Sequence, residues 1–139
     1  MLLMYFFHFF SFQVIMATYF FTTHVTDKEK QRLNCLISKK YEHLNGCYIW
    51  KGASPKGYGV LSFSFRGKKF KLKAHRVVYY LGFNQPLSPK MHVSHVCHNK
   101  LCVNIQHLSY EPQKINNNRQ ICAHEGICYG HYGFLDCKI

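Results

Sequence analysis

The feature that most constrains this chain is a run of cysteine and histidine residues between Ser94 and Cys137. A tetrahedral structural zinc site takes four thiolate or imidazole ligands, and the run supplies them at short spacings. Buried free cysteines behave as small hydrophobic residues, which explains one or two of them but not a set interleaved with histidines in polar loops. The spacing therefore predicts two structural Zn²⁺ sites.

The first predicted zinc site needs one ligand from outside the run, because only three candidates lie close together near residue 100. Cys47 is the nearest free cysteine upstream, and a strand could bring it alongside. The ligands predicted for this site are Cys47, Cys97, Cys102 and His107. The second site is local, and its predicted ligands are Cys122, Cys128, His131 and Cys137. His124 is the alternative to His131.

The chain contains seven cysteines, which leaves Cys35 outside both predicted zinc sites. A secreted disulfide framework favours an even number of cysteines. Thiols that bind zinc belong to a reducing compartment. We therefore expect an intracellular protein of the nucleus or cytoplasm.

The charge of the chain is strongly one-sided. The formal net charge is +12 with only six acidic residues, and no Asp or Glu lies between Glu42 and Glu111. Ten Lys or Arg residues lie in that interval. A field of one sign is typical of a protein that binds a polyanion, whereas a surface that is only soluble mixes both signs.

The 139 residues predict one main domain with two N-terminal additions. Residues 1–25 are an apolar arm or an upstream extension, with Met16 as an alternative start. They contain no Lys, Arg, Asp or Glu, but a membrane span is not favoured because polar residues interrupt the apolar stretch. Residues 26–46 are predicted as a helical lead-in that begins with a Thr26–Glu29 capping box. Residues 47–139 form the zinc-binding domain.

The pattern of apolar residues predicts the elements of this domain. A hairpin turns at Arg66-Gly67, with strands at residues 60–66 and 68–74. Residues 47–51 and 91–96 are predicted strands. Residues 75–81 are a predicted helix capped by Gly82. Residues 97–108 are a predicted metal-organised loop, and residues 114–120 a terminal helix.

The predicted hairpin has one apolar face and one cationic face. Such a ribbon fits the major groove of B-DNA, and its lysines would supply mainly phosphate contacts. The residues predicted to bind DNA are Arg66, Lys68, Lys69, Lys71 and Lys73. A solvated edge that discourages aggregation is the alternative interpretation.

Several motifs together carry a family resemblance. The stretch SHVCHNKLCVNIQHL, at residues 94–108, resembles the His-Cys box of the ββα-metal (His-Me finger) homing endonucleases, and Asn116, Arg119 and Cys122 follow at the spacing of that box. The upstream motifs CYIW at 47–50, GYG at 57–59 and AHRV at 74–77 resemble members with a zinc-binding loop. The resemblance covers residues 47–137.

This resemblance implies an α+β fold: a small ββα-metal nuclease with an antiparallel β-ribbon and two structural zinc sites. It also implies that His95 is the general base and that Asn116 binds one catalytic Mg²⁺. Histidine is suited to accept a proton near pH 7, although His95 could instead bind zinc. Asn117 is the alternative to Asn116, and the three consecutive asparagines could also be only a polar helix face.

The chemistry of phosphodiester hydrolysis also needs positive charge close to the reacting phosphate. Arg76 is the first candidate for this charge and Lys69 the second, and for either an anchoring role on a phosphate is the alternative. The function implied is metal-dependent hydrolysis of double-stranded DNA. The rival function is a zinc-stabilised nucleic-acid-binding module without catalysis.

The C-terminus departs from the pattern of the well-known members, which form a homodimer through a tail after the last zinc ligand. Only Lys138 and Ile139 follow Cys137. Dimerisation by that route is therefore not expected, and a dimer through another surface, such as the aromatic arm, is the alternative.

Overall fold

The computed structural model describes residues 16–139, so the first part of the predicted apolar arm lies outside the described residues. Residues 16–22 are helical. The rings of Phe20 and Phe21 and the side chain of Val25 are buried, and Phe20 packs against Phe65 with ring centroids 5.4 Å apart. Phe20, Phe21 and Val25 thus belong to the core. No helix among the described residues is long and apolar enough to cross a membrane.

Helix α1 (Asp27–Ser38) begins with the predicted capping box. The backbone N–H of Thr26 donates to Glu29 at 2.8 Å, and the N–H of Glu29 donates to the Thr26 hydroxyl at 3.3 Å. The apolar side of α1 buries Leu33 and Ile37. Packing of this amphipathic side, rather than helix propensity, holds so short a helix in place.

The predicted helical lead-in is wrong beyond Ser38, because the chain turns back into a hairpin. Strand β1 (Tyr41–Leu44) pairs antiparallel with β2 (Cys47–Trp50). Asn45 and Gly46 both have positive φ, 50° and 78°, which is typical of a tight two-residue hairpin turn. The sequence therefore folds residues 41–50 as one unit that carries Cys47.

Strands β3 (Val60–Phe65) and β4 (Lys68–Lys73) form the hairpin predicted around Arg66-Gly67. Phe63, Phe65, Phe70 and Leu72 are buried on one face, and Lys69, Lys71 and Lys73 are exposed on the other. The alternation predicted from the sequence is confirmed.

Helix α2 (Ala74–Phe83) follows β4 directly and buries Val77 and Tyr80. It ends at Asn84, which has the left-handed φ of 49°, and not at Gly82 as predicted. Gly82 instead allows close packing, since a Cβ there would lie 2.0 Å from the Cδ1 atom of Ile105.

The C-terminal part forms two strands followed by a helix. Strand β5 (Met91–His95) pairs antiparallel with β6 (Leu108–Pro112), which was not predicted. A loop and the 3-10 helix Ile105–His107 connect them, and α3 (Gln113–Glu125) begins directly after β6 and runs five residues beyond the predicted end at 120. Within residues 16–139, three two-stranded antiparallel sheets, the helices and the Cys/His clusters confirm the predicted α+β class.

Candidate zinc clusters and active-site pocket

The first Cys/His cluster contains the four ligands predicted for the first zinc site. Strand β2 pairs along the loop between β5 and β6, where the N–H of Trp50 donates to Leu101 and the N–H of Val103 donates to Tyr48, at 2.9 and 2.8 Å. This pairing brings Cys47 beside Cys102. All four ligand atoms lie within 4.8 Å of one another.

The distances in this first cluster fit a tetrahedral zinc ion. The Nδ1 atom of His107 lies 3.6 Å from the Sγ atoms of both Cys47 and Cys102. Zinc–sulfur and zinc–nitrogen bonds of about 2.3 and 2.05 Å at a tetrahedral angle place such atoms about 3.6 Å apart. A hydrogen bond from Cys97 holds the pKa of the Cys102 thiol well below its ordinary value, which favours the thiolate that zinc binds.

The second cluster is built from α3 and the C-terminal loop. It contains Cys122, Cys128, His131 and Cys137. The Nε2 atom of His131 lies 3.7, 3.3 and 3.2 Å from the three sulfurs, in chain order. His131 is buried in the cluster, whereas the alternative ligand His124 is exposed outside it. Both clusters therefore fit zinc sites, and the exposed Cys35 belongs to neither.

A buried ion pair connects the second cluster to the ββα unit. Arg119 of α3 donates two hydrogen bonds of 2.8 Å to Glu111 of β6. It also donates to the carbonyl of Leu135 at 2.7 Å and to Cys137 Sγ at 3.5 Å. Burial raises the pKa of Glu111, but the hydrogen bonds from Arg119, Ser94 and Ser109 and the charge of Arg119 together outweigh burial and hold the pKa below its ordinary value.

A cationic cavity of about 150 Å³ lies between α2, β5 and α3. Its lining contains four histidines, His75, His92, His95 and His98. The basic residues that line it are Lys73, Arg76, Lys100 and Arg119. Arg119 is neutralised by Glu111, but no acidic residue is among the described residues that line the cavity, so the charges of Lys73, Arg76 and Lys100 are not neutralised from within it. Such a cavity is suited to receive a phosphate group.

His95 lies at the end of β5 and faces this cavity. Its Nε2 atom lies 3.0 Å from the carbonyl oxygen of Cys102. A carbonyl only accepts hydrogen bonds, so Nε2 carries the hydrogen and Nδ1 keeps its lone pair. Burial lowers the pKa of His95 to about 4, which keeps the ring neutral at pH 7. His95 belongs to neither Cys/His cluster.

Asn116 on the first turns of α3 also lines the cavity. The hydroxyl of Ser94, next to His95, donates to Asn116 Oδ1 at 2.9 Å, which leaves that oxygen a second lone pair. Asn117 is exposed and accepts from Gln113 at 3.2 Å on the outer face of the helix. The structure therefore brings Asn116, and not Asn117, together with His95.

The two residues predicted to supply transition-state charge are placed differently. The guanidinium of Arg76 borders the cavity, but it donates to the carbonyls of Met91 and Ser88 at 3.1 and 3.4 Å. It also lies over the ring of Phe21. Lys69 is exposed on the cationic face of β4 and does not line the cavity.

The five residues predicted to bind DNA do not all share one face. Lys69, Lys71 and Lys73 follow one another along the exposed side of β4. Lys68 instead lies over the ring of Tyr19 on the other side. Arg66 at the turn donates to the carbonyl of His24 at 2.8 Å and lies 3.8 Å from Glu29.

Several residues that line the cavity were not among the predicted site residues, including Tyr58, Lys100 and His98, which the sequence suggested was structural rather than catalytic. His75 lies with its ring centroid 4.5 Å from that of His95. The Nδ1 atom of His75 and the Nε2 atom of His98 are buried without a hydrogen-bond partner. Unpartnered imidazole nitrogens beside a cavity are a mark of a functional site. Nothing in the sequence, however, distinguishes these two histidines from the others.

Comparison with known proteins gives one match. A family model described as the zinc-binding loop region of homing endonuclease matches residues 34–134. This span includes both strands of every hairpin, the whole first cluster, and three of the four ligands of the second. No curated protein and no solved structure matches the chain.

Proposed function

Since the chain belongs to the family of the zinc-binding loop region of homing endonucleases, we propose that it is a metal-dependent endonuclease that hydrolyses phosphodiester bonds in double-stranded DNA. Family membership supports a nuclease-related function, and the cavity chemistry supports this particular reaction. The observation that carries the proposal is the hydrogen bond of His95 Nε2 to the carbonyl of Cys102, 3.0 Å long.

This hydrogen bond fixes which nitrogen of His95 can act as a base. With Nε2 protonated, Nδ1 can accept a proton from a water molecule in the cavity. As the water oxygen bonds to phosphorus, its proton moves to Nδ1 and the bond from phosphorus to the 3′ oxygen breaks. The loop that presents the Cys102 carbonyl is held by the first cluster, so zinc there would orient the base without touching the substrate.

The donor set at the cavity fits one divalent ion such as Mg²⁺. Magnesium takes oxygen ligands, keeps several waters and needs few ligands from the protein. Asn116 Oδ1 would be its protein ligand, because Glu111 is engaged by Arg119. When bound, the ion supplies positive charge that stabilises the leaving oxygen.

The lysines of β4 supply an approach for the DNA backbone. Lys69, Lys71 and Lys73 form a row about 13 Å long, from a rise of about 3.3 Å per residue. The row ends at Lys73, which lines the cavity. If about six phosphates are neutralised in all, affinity falls roughly as the fifth power of salt concentration.

A plasmid-nicking assay tests the proposed function. Zinc-loaded protein is incubated with supercoiled plasmid, with and without added Mg²⁺, so that no chelator disturbs the Cys/His clusters. We expect nicking only with the added metal, and a rate about 10²–10⁴-fold lower for His95→Ala. Asn116→Ala should need more Mg²⁺ for half-maximal rate.

The matched control is His124→Ala, which removes an exposed histidine outside the cavity and should leave the rate unchanged. All variants should retain two zinc ions per chain, measured by elemental analysis. If the protein binds DNA but does not nick it with any divalent ion, it is instead the zinc-stabilised binding module. Loss of zinc from His95→Ala would make His95 a structural ligand.

A further inference from the structure

Two lysines and one tyrosine meet at the rim of the cavity. The ammonium of Lys73 lies 4.7 Å from the ring centroid of Tyr58, and that of Lys100 lies 5.2 Å from the same centroid. The ring of Tyr58 in turn lies 6.1 Å from that of His95. The two ammonium groups are thus gathered on an aromatic surface beside the proposed base.

The position of Tyr58 is fixed by close packing around Trp50. A Cβ on Gly59 would lie 2.6 Å from Trp50, and one on Gly52 would lie 2.8 Å from it, so both positions need glycine. The backbone N–H of Ala74 donates to the carbonyl of Gly59 at 2.9 Å. This bond ties the segment that carries Tyr58 to the junction of β4 and α2, next to Lys73.

Lys73 differs from Arg76, the first candidate for the transition-state charge. The guanidinium of Arg76 already donates to two backbone carbonyls, whereas the ammonium of Lys73 has no hydrogen-bond acceptor among the described residues. The side chains of Lys71 and Lys69 lie on the same face of β4 as Lys73. At about 3.3 Å per residue they are about 7 and 13 Å from Lys73 along the strand, away from the cavity.

We propose that Lys73 is a catalytic residue that contacts a non-bridging oxygen of the scissile phosphate, and that Tyr58 positions its ammonium there together with that of Lys100. This inference rests on the proposed function, since it concerns the same hydrolysis. It assigns the transition-state charge to Lys73 rather than to Arg76 or Lys69.

The aromatic contact suits this role because it is weak and leaves the donors of the ammonium free. A cation over an exposed ring gains only about 0.5–1 kcal/mol, and the three N–H groups of the lysine can still turn towards an anion. Negative charge on the phosphate oxygens increases as the water attacks. A fixed cation there therefore stabilises the transition state more than the bound substrate.

The decisive comparison is Lys73→Ala with Lys71→Ala, two truncations of the same residue type on the same face of β4. Single-turnover cleavage of a short duplex is measured over a range of protein concentrations. For Lys73→Ala we expect the saturating rate to fall by about 10²-fold with a half-saturating concentration within threefold of wild type. For Lys71→Ala we expect an unchanged saturating rate, weaker binding and a salt slope reduced by about one.

Tyr58 is tested by two substitutions that differ only in the aromatic face. Tyr58→Phe retains the ring and should cleave at the wild-type saturating rate, whereas Tyr58→Leu should lose about tenfold. A merely structural role would lower the thermal stability of both variants without separating their rates. Zinc content and circular dichroism identify any variant that fails to fold.

The outcomes separate this inference from the proposed function. If wild-type protein does not cleave DNA, the proposed function fails and Lys73 has no reaction to support. If wild-type protein cleaves, His95→Ala does not, and Lys73→Ala changes only the half-saturating concentration, then Lys73 is an anchor and the inference is refuted. A 10²-fold loss with Arg76→Ala but not Lys73→Ala would assign the charge to Arg76.

Discussion

Replacing Arg119 by methionine removes the positive half of an ion pair that is buried on both sides. The side chains of Arg119 and Glu111 are 1% and 0% exposed. Their two hydrogen bonds are both 2.8 Å long, and the guanidinium also donates to the carbonyl of Leu135. Methionine keeps an unbranched apolar stem but leaves the carboxylate without a partner.

The expected cost follows from these contacts. Removing one partner of a buried pair costs about 3–5 kcal/mol, because the remaining charge stays desolvated. Losing the hydrogen bond to Leu135 adds about 1 kcal/mol. A domain of this size is stable by only about 5–15 kcal/mol, so Arg119→Met should remove a large share of the free energy of unfolding.

The double variant Glu111→Leu/Arg119→Met isolates the charge from the packing. It removes both charges, and it leaves the carbonyl of Leu135 and the thiol of Cys137 without the guanidinium and the hydroxyls of Ser94 and Ser109 without the carboxylate. We expect it to lie within about 1–2 kcal/mol of wild type. The assay is urea unfolding followed by circular dichroism, at one fixed zinc concentration because bound metal shifts stability.

The exposed pair between Lys51 and Glu42 provides the matched control. Both of its side chains are more than half exposed, and Lys51→Ala should cost no more than about 1 kcal/mol. If Arg119→Met costs no more than Lys51→Ala, or if the double variant is as unstable as the single one, then desolvated charge is not the cause and the reasoning is refuted.

Three further outcomes test the clusters and the helix packing. Cys97→Ser should lower zinc content from two ions to one per chain, while Cys35→Ser should retain both, as measured by native mass spectrometry. A reductant alone should leave the circular dichroism unchanged, whereas a chelator should unfold the C-terminal half; the reverse result would indicate disulfides. Gly82→Ala should cost about 1–3 kcal/mol by overpacking against Ile105, but in an Ile105→Ala background it should stabilise α2 by up to about 1 kcal/mol.

The parts of the fold that the sequence predicted are those set by short-range spacing. The β3–β4 hairpin followed from strict alternation and from Arg66-Gly67, which occupies the turn with φ of 49° and 76°. The second cluster followed from ligands within sixteen residues of one another, between Cys122 and Cys137. Cys47 could be predicted as the fourth ligand of the first site, because a tetrahedral zinc site needs four ligands and the local sequence supplies only three.

Strand β6 could not be predicted because both of its faces are covered. Leu108, Ser109 and Glu111 are buried, so the stretch shows no alternation of polar and apolar residues. Two of these three are polar, and Glu111 is tolerated in the interior only because Arg119 donates two hydrogen bonds to it. A pattern that depends on a partner from the following helix is invisible to local periodicity.

The prediction of helix where β1 is found was wrong for a related reason. Residues 39–44 continue the charged character of α1, and only pairing with β2 makes Tyr41–Leu44 a strand. The sequence made Arg76 the first candidate for the transition-state cation and Lys69 the second, but it carries no information on which basic side chains already have hydrogen-bond acceptors. The structure shows instead which cation already has acceptors, since the Arg76 guanidinium donates to the carbonyls of Met91 and Ser88.

The two clusters are connected to different halves of the proposed catalytic pair. The carbonyl that orients His95 belongs to Cys102, a member of the first cluster. Asn116 lies on α3, whose last turns carry Cys122 of the second cluster. Structural zinc sites contribute on the order of 10 kcal/mol to folding in small domains. Zinc in the first cluster would therefore fix the position of His95, and zinc in the second would fix that of Asn116. Damage to the first cluster should therefore misorient the base, whereas damage to the second should first weaken the response to Mg²⁺, because the two groups lie on segments that carry different clusters.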